Sequence, residues 1–205
     1  MKCIRDLNQI ITLKSCYEKN GRNLLPDDLD VITNAAIVYD EQSIVWIGDS
    51  SSIPKKYEDI ETISKSGHVL TPEIVDSHTH LVFGGNRAFE YSMRLNGADY
   101  QDIAAAGGGI LSTMKATLEA SLESLFNKAV ERINRIHSYG IGTIEIKSGY
   151  ALTYEREKDL SLLIQRLKEH FLGKVQIHNP YMAAHAVPKN YSNSKDYIND
   201  VVLPL

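Results

Sequence analysis

Two imidazoles two residues apart, in Asp76-Ser77-His78-Thr79-His80, are the groups of this 205-residue chain best suited to hold a metal ion. Side chains of a strand alternate, so Asp76, His78 and His80 would share one face and Val75, Ser77 and Thr79 the other. Neutral imidazole suits zinc, iron and nickel, and two rings on one strand face can share a cation. A bare pair at this spacing is common, and two core or surface histidines are the plain alternative. The pair stands where a strand ends and Gly84-Gly85 follows, and barrel active sites form at such carboxyl ends. Two ligands are still not a site, since catalytic zinc takes three protein ligands and a water.

Other candidates sit at further strand ends. Thr143, Glu145 and Lys147 alternate with Ile144 and Ile146, so the apolar set should face helices and the polar set an interior. Glu145 and Lys147 would then have to pair, because isolated buried charges are costly; a structural ion pair is the favoured account, with Lys147 near a metal as the functional one. Ser148-Gly149-Tyr150 follows directly, where a tyrosine hydroxyl can meet a polar substrate or its ring can pack under a loop. His185, among small residues in Ala183-Ala184-His185-Ala186-Val187-Pro188, closes another strand. Arg87, in the Gly-rich loop after His80, suits a carboxylate, which guanidinium binds bidentately. His137 and His170 lie near helix C-termini, where positive charge is favourable. His68 lacks an obvious partner, and His178 reads as barrel filling. No serine or cysteine triad is legible, and Cys3 and Cys16 precede the strand-end candidates.

These residues need elements to hold them. Up to about residue 72 the chain reads as β structure: Ile10–Leu13 as a short strand, then Ala35–Tyr39 and Ser43–Ile47 as a hairpin around Asp40-Glu41-Gln42. From Ile74 the pattern changes. Strands are expected over Ile74–His80, Gly142–Lys147 and Val175–Ala184, and helices over Ser121–Tyr139 and Tyr154–Phe171. Ser121 and Ser124 offer caps, an apolar stripe runs through Leu125, Ala129 and Ile133, and Gly140 ends the first helix. Ser194–Val202 opens a further one. Gly107-Gly108-Gly109 reads as a tight loop before a helix. A phosphate cradle is disfavoured there, because no Gly-Lys-Ser/Thr and no G-x-G-x-x-G after a strand accompanies it. Strands alternating with long helices point to parallel βαβ units, and a closed eight-unit barrel takes about 250 residues. The expected fold is therefore α/β, a partial TIM-type barrel over residues 73–205 after a β region over 1–72.

Composition excludes several classes. Net charge is −4, with 43% hydrophobic and 23% charged residues, which is the balance of a globular protein rather than a disordered one. A nucleic-acid partner is not expected without a basic surplus. No apolar run reaches the roughly 20 residues that span a bilayer, the start lacks a signal-peptide core, and two cysteines suggest a reducing cytoplasm.

The motifs themselves are informative. Leu70-Thr71-Pro72 with Ile74-Val75-Asp76-Ser77-His78-Thr79-His80 resembles the strand-one signature of the metal-dependent amidohydrolase superfamily. His78 to Arg87, Ala106 to Thr113, Glu145 to Tyr150 and Ala184 to Pro188 are similar to the imidazolonepropionase family. The resemblance implies one zinc or iron ion, held in part by His78 and His80, and a water that opens the ring of 4-imidazolone-5-propanoate to N-formimidoyl-L-glutamate in histidine degradation. It implies substrate contacts from Arg87, Tyr100, Tyr150 and His185, with Arg87 on the propanoate, and a homodimer. It also implies a small β-sandwich domain built from both chain ends, of which residues 1–72 would be the first part. Glu73 stands where the family usually carries glycine. The family's third metal histidine, acid/base residues and metal aspartate lie on later strands, so no catalytic acid or base is assigned here and the chain by itself is expected to be inactive. Two other readings stand beside this one: another cyclic-amide amidohydrolase, or a non-catalytic truncated product that associates with another chain.

Overall fold

The computed structural model describes residues 1–182, 187, 188 and 191–204, and divides into two units, Met1–Pro72 and Glu73–Leu205. In the first, strands β1 (Lys2–Ile11), β2 (Val31–Tyr39), β3 (Ile44–Asp49), β4 (Glu61–Ser64) and β5 (Val69–Leu70) form one sheet in the order β3-β2-β1-β4, with β5 also on β1. β2 is antiparallel to both β1 and β3, whereas β4 and β5 run parallel to β1. The expected hairpin forms, closed by Asp40, whose carboxylate accepts the N–H groups of Gln42 and Ser43 at 2.9 and 2.8 Å. The short strand expected at Ile10–Leu13 is instead the end of a ten-residue strand, because a bulge hides the period of two. Register shifts between Ile4 and Leu7, Asp6 takes φ 60°, and the buried residues fall at Cys3, Leu7 and Ile10. A short helix α1 (Lys14–Glu18) follows β1.

The second unit holds a parallel sheet in the order β6-β7-β8, made of β6 (Ile74–Thr79), β7 (Ile141–Ile146) and β8 (Gln176–His178). Helices α2 (Ala88–Leu95), α3 (Tyr100–Ala105), α4 (Ile110–Glu119) and α5 (Leu122–His137) lie between β6 and β7, and α6 (Tyr154–His170) between β7 and β8. Both long helices begin on hydroxyl caps: Ser121 Oγ, one of the two caps expected, accepts Ser124 N–H, and Thr153 Oγ1 accepts Arg156 N–H. Their apolar stripes, Leu125, Ala129 and Ile133 on α5 and Leu160, Ile164 and Leu167 on α6, bury against Ile144, Ile146 and Ile177 of the sheet. Burying such side chains contributes about 1.5–3 kcal/mol each, which makes this layer the main support of the strands.

Two expectations need correction. The strand expected over Val175–Ala184 ends at His178, since Pro180 has no N–H to continue the ladder. His178 is exposed, with Ile177 buried beside it, and fills no interior among the described residues. Between Gly85 and Gly107, where no element was expected, the chain forms α2 and α3. α2 escapes a periodicity reading because its buried residue is Glu90, while Phe89, Tyr91 and Leu95 are exposed. The expected helix near the carboxyl end is α7 (Ser194–Tyr197), running into a π-turn over Ile198–Val202. Glu73 has a definite place: its carboxylate accepts the Thr143 hydroxyl and lies over Gly142, where a Cβ would meet Glu73 Oε2 at 2.0 Å. The residue before β6 is thus tied to the start of β7. No helix among the described residues is long and apolar enough to cross a membrane.

Candidate metal and substrate site

The ends of β6 and β7 are clasped together. Thr79 Oγ1 donates to the Glu145 carbonyl at 2.6 Å, and Lys147 N–H donates to the Thr79 carbonyl at 2.9 Å. Beside this clasp the rings of His78 and His80 lie edge to face, 5.8 Å between centroids, and Tyr150 stacks on His80 at 4.6 Å with 13° between planes. β6 is not a regular strand here. Between Asp76 and Thr79 three steps oppose two on β7, and the Asp76 carboxylate accepts the His78 N–H at 3.3 Å, so simple alternation from Asp76 to His80 is interrupted. Glu145 and Lys147, largely shielded on the face opposite Ile144 and Ile146, form the ion pair that their spacing requires.

Each loop leaving these strands is held by a polar side chain at a distance. Arg132 of α5 donates through Nη1 to the carbonyls of Leu81 and Phe83, both at 2.9 Å, and its guanidinium lies 3.6 Å from the Phe83 ring centroid. Burial pushes that guanidinium below its usual pKa. Gly84 N–H donates to Thr117 Oγ1 at 3.0 Å, and a Cβ on Gly84 would stand 2.2 Å from the Ala116 carbonyl, so only glycine lets the loop pack on α4. After β7, the wholly buried Glu157 accepts Gly149, Ala151 and Leu152 N–H groups at 2.9, 2.8 and 3.0 Å, which fixes the turn that carries Tyr150. Ser148 Oγ accepts Met182 N–H at 3.2 Å, linking the β7 end to the segment after β8.

Arg87 stands at the N-terminus of α2, its guanidinium on Glu90 one turn further on. That hydrogen bond raises its pKa above the usual value, and Tyr150 and Tyr100 lie close enough to add to the rise. Burial pushes the Tyr150 phenol up, against the opposing charge of Arg87. His78, His80 and Tyr150 are therefore brought together, Arg87 and the exposed Tyr100 lie within electrostatic reach of that group, and His185 falls outside the described residues. Glu90, Glu157 and Arg132 were missed by sequence reasoning. For Glu90 a signal existed in its i,i+3 spacing from Arg87; for Arg132, fifty residues from its partners, none did.

Solved structures share this architecture. The chain superposes on an Aspergillus niger ochratoxinase with TM-score 0.51 at 15% identity, over 87% of this chain and 30% of that one. It matches a solved amidohydrolase equally, TM-score 0.51 at 12% identity over 88% and 31%. The fold is thus part of an amidohydrolase-type (β/α) barrel preceded by a β-rich unit. Among curated proteins the relationship is narrower. The chain is 36% identical to the imidazolonepropionase of Bdellovibrio bacteriovorus over 98% of its own length and 48% of that protein, and 44% identical to that of Agrobacterium fabrum over 87% and 42%. It is a relative of the imidazolonepropionases and spans about half the length of those it matches. No family model matches the chain.

Proposed function

We propose that the chain supplies the first strands of a cytoplasmic, metal-dependent hydrolase that opens 4-imidazolone-5-propanoate to N-formimidoyl-L-glutamate in histidine degradation. The observation that carries this reading is the ring cluster His78–His80–Tyr150 at the carboxyl ends of β6 and β7. Kinship with imidazolonepropionases supports it over another cyclic-amide amidohydrolase.

Edge-to-face rings 5.8 Å apart suit two nitrogen donors that converge on one divalent ion, zinc or iron. Among the described residues no group of three or more His, Cys, Asp or Glu side chains is placed to hold an ion, so His78 and His80 are a partial set. When bound there, the ion would lower the pKa of a water toward neutrality. The chain's own residues bind and orient. Tyr150, kept protonated by burial, donates its hydroxyl to a polar atom of the ring. Arg87 pairs with the propanoate, Tyr100 closes the exposed side, and His185 is assigned by its motif alone. The parent enzyme acts as a homodimer, and the 205-residue chain by itself neither retains stoichiometric metal nor turns over.

Zinc titration of the purified chain, followed by imidazole resonances and by metal content after dialysis, tests this. Zinc should move His78 and His80 together, His78→Ala should abolish the response of His80, and less than one zinc per chain should survive dialysis. Zinc that moves neither ring would refute the ligand assignment. One retained zinc together with hydrolysis of 4-imidazolone-5-propanoate would show that this chain holds a complete site.

A further inference from the structure

The Arg87 guanidinium is already half engaged within the chain. Its Nε donates to Glu90 Oε2 at 2.7 Å, and its Nη2 contacts the same oxygen. The other carboxylate oxygen of Glu90, Oε1, accepts Gly109 N–H at 2.9 Å, at the start of α4. Arg87 Nη1 has no hydrogen-bond partner among the described residues. A planar guanidinium presents a carboxylate with a side edge, Nε with one terminal nitrogen, and an end edge formed by the two terminal nitrogens. Glu90 takes the side edge.

Glu90 is itself confined. It is buried, and Arg87 first, then Gly109 and Arg94, hold its carboxyl below the usual range against the cost of burial. Gly108 presses on it so closely that a Cβ there would lie 3.0 Å from Glu90 Cδ and 2.8 Å from Ile103. This gives the Gly107-Gly108-Gly109 run a role that no phosphate is needed to explain: it lets a backbone turn close over a carboxylate. Arg87, by contrast, is half exposed, and a cavity of about 260 Å³ lies against Arg87, Glu90, Tyr91 and Arg94.

We propose that Glu90 is a positioning residue for Arg87: it grips the side edge of the guanidinium and leaves the Nη1 edge to a carboxylate-bearing small ligand. This rests on the reading of Arg87 as the substrate's carboxylate contact. The sign separates positioning from competition. A carboxylate that merely competed with the ligand would, on removal, tighten binding; a positioning residue weakens it.

The test uses the ¹⁵N-labelled 205-residue chain, with the Arg87 Nε–H resonance assigned by its loss in Arg87→Lys. In the unmodified chain that proton should exchange slowly with water, a measurement that needs no Glu90 variant. In Glu90→Gln the side-chain amide offers one accepting oxygen where the carboxylate offered two and carries no charge, so whichever way it turns the guanidinium is held more weakly and the Nε–H should exchange faster. Imidazole-4-propanoate should move the Arg87 Nη signals and leave Nε–H in place. Glu90→Gln should weaken its Kd by at least about fivefold, with far-ultraviolet circular dichroism unchanged. An Arg87 Nε–H that exchanges like a free arginine in the unmodified chain, or a variant that binds the probe as tightly or tighter, overturns the proposal. If the probe leaves Arg87 unmoved, the carboxylate reading of Arg87 and the ligand half of this proposal both fall, while slow Nε–H exchange still decides whether Glu90 holds the side edge.

Discussion

The two units of the chain use their buried polar side chains differently. In Met1–Pro72 these groups close turns and repair the sheet. Asp28 accepts Lys19 Nζ and Leu25 N–H at 2.8 and 2.7 Å, closing the turn between β1 and β2. Ser50 Oγ accepts Asp6 N–H at 3.0 Å and donates to the Ala35 carbonyl at 2.9 Å, mending the β1–β2 ladder where the bulge interrupts it. In Glu73–Leu205, Thr117, Ser148 and Glu157 each hold a segment that leaves a strand's carboxyl end, together with the partly buried Arg132, and Glu90 holds Arg87 in the loop after β6. Thr143, bonded to Glu73 at the opposite end of β7, is the exception. A buried polar group is costly unless its hydrogen bonds are met. Concentrating them behind His78, His80, Arg87 and Tyr150 is what the proposed site would require, whereas the first unit needs only enough of them to finish its sheet.

Substitutions that delete these groups should break the contrast unequally. The largest effect is expected from Glu157→Ala, which strips three backbone N–H groups of their acceptor in a fully buried place. The second unit should lose about 3–5 kcal/mol, read by helical circular dichroism during denaturant unfolding, and the Tyr150–His80 stacking shifts should disappear from the proton spectrum. Arg132→Ala should cost less, about 2–3 kcal/mol, because two carbonyls at its partly buried site can recover water. Its signature is faster amide exchange in the Leu81–Gly85 loop. Ser50→Ala should be mildest, about 1–2 kcal/mol, and is best followed by fluorescence of Trp46, the single tryptophan, which belongs to the first unit. If Ser50→Ala proved as damaging as Glu157→Ala, the two units would not differ in the way described.

Much of the framework was legible in the residues. Strands around His78 and Ile144, the helix capped by Ser121 and the helix from Tyr154 follow from local periodicity and, for the first helix, capping, both of which act within a few residues. Local signals misled where a residue played against type. Asp6 at positive φ broke the period of β1, Pro180 cut β8 short, and α2 turned a glutamate inward.

By itself the sequence determined the alternation of strands and helices, the His78–His80 pair, the need for Glu145 and Lys147 to pair, and the kinship with amidohydrolases. Those depend on residue type and short spacing, which the chain carries wherever it folds. Only the tertiary structure decided which distant group satisfies which: Arg132 on the carbonyls of Leu81 and Phe83, Glu90 joining Arg87 to Gly109, and Tyr150 stacked on His80. A buried donor takes whichever acceptor the packed helices bring within about 3 Å, and that neighbour is set by how α2, α4 and α5 lie on the sheet rather than by any periodicity along the chain.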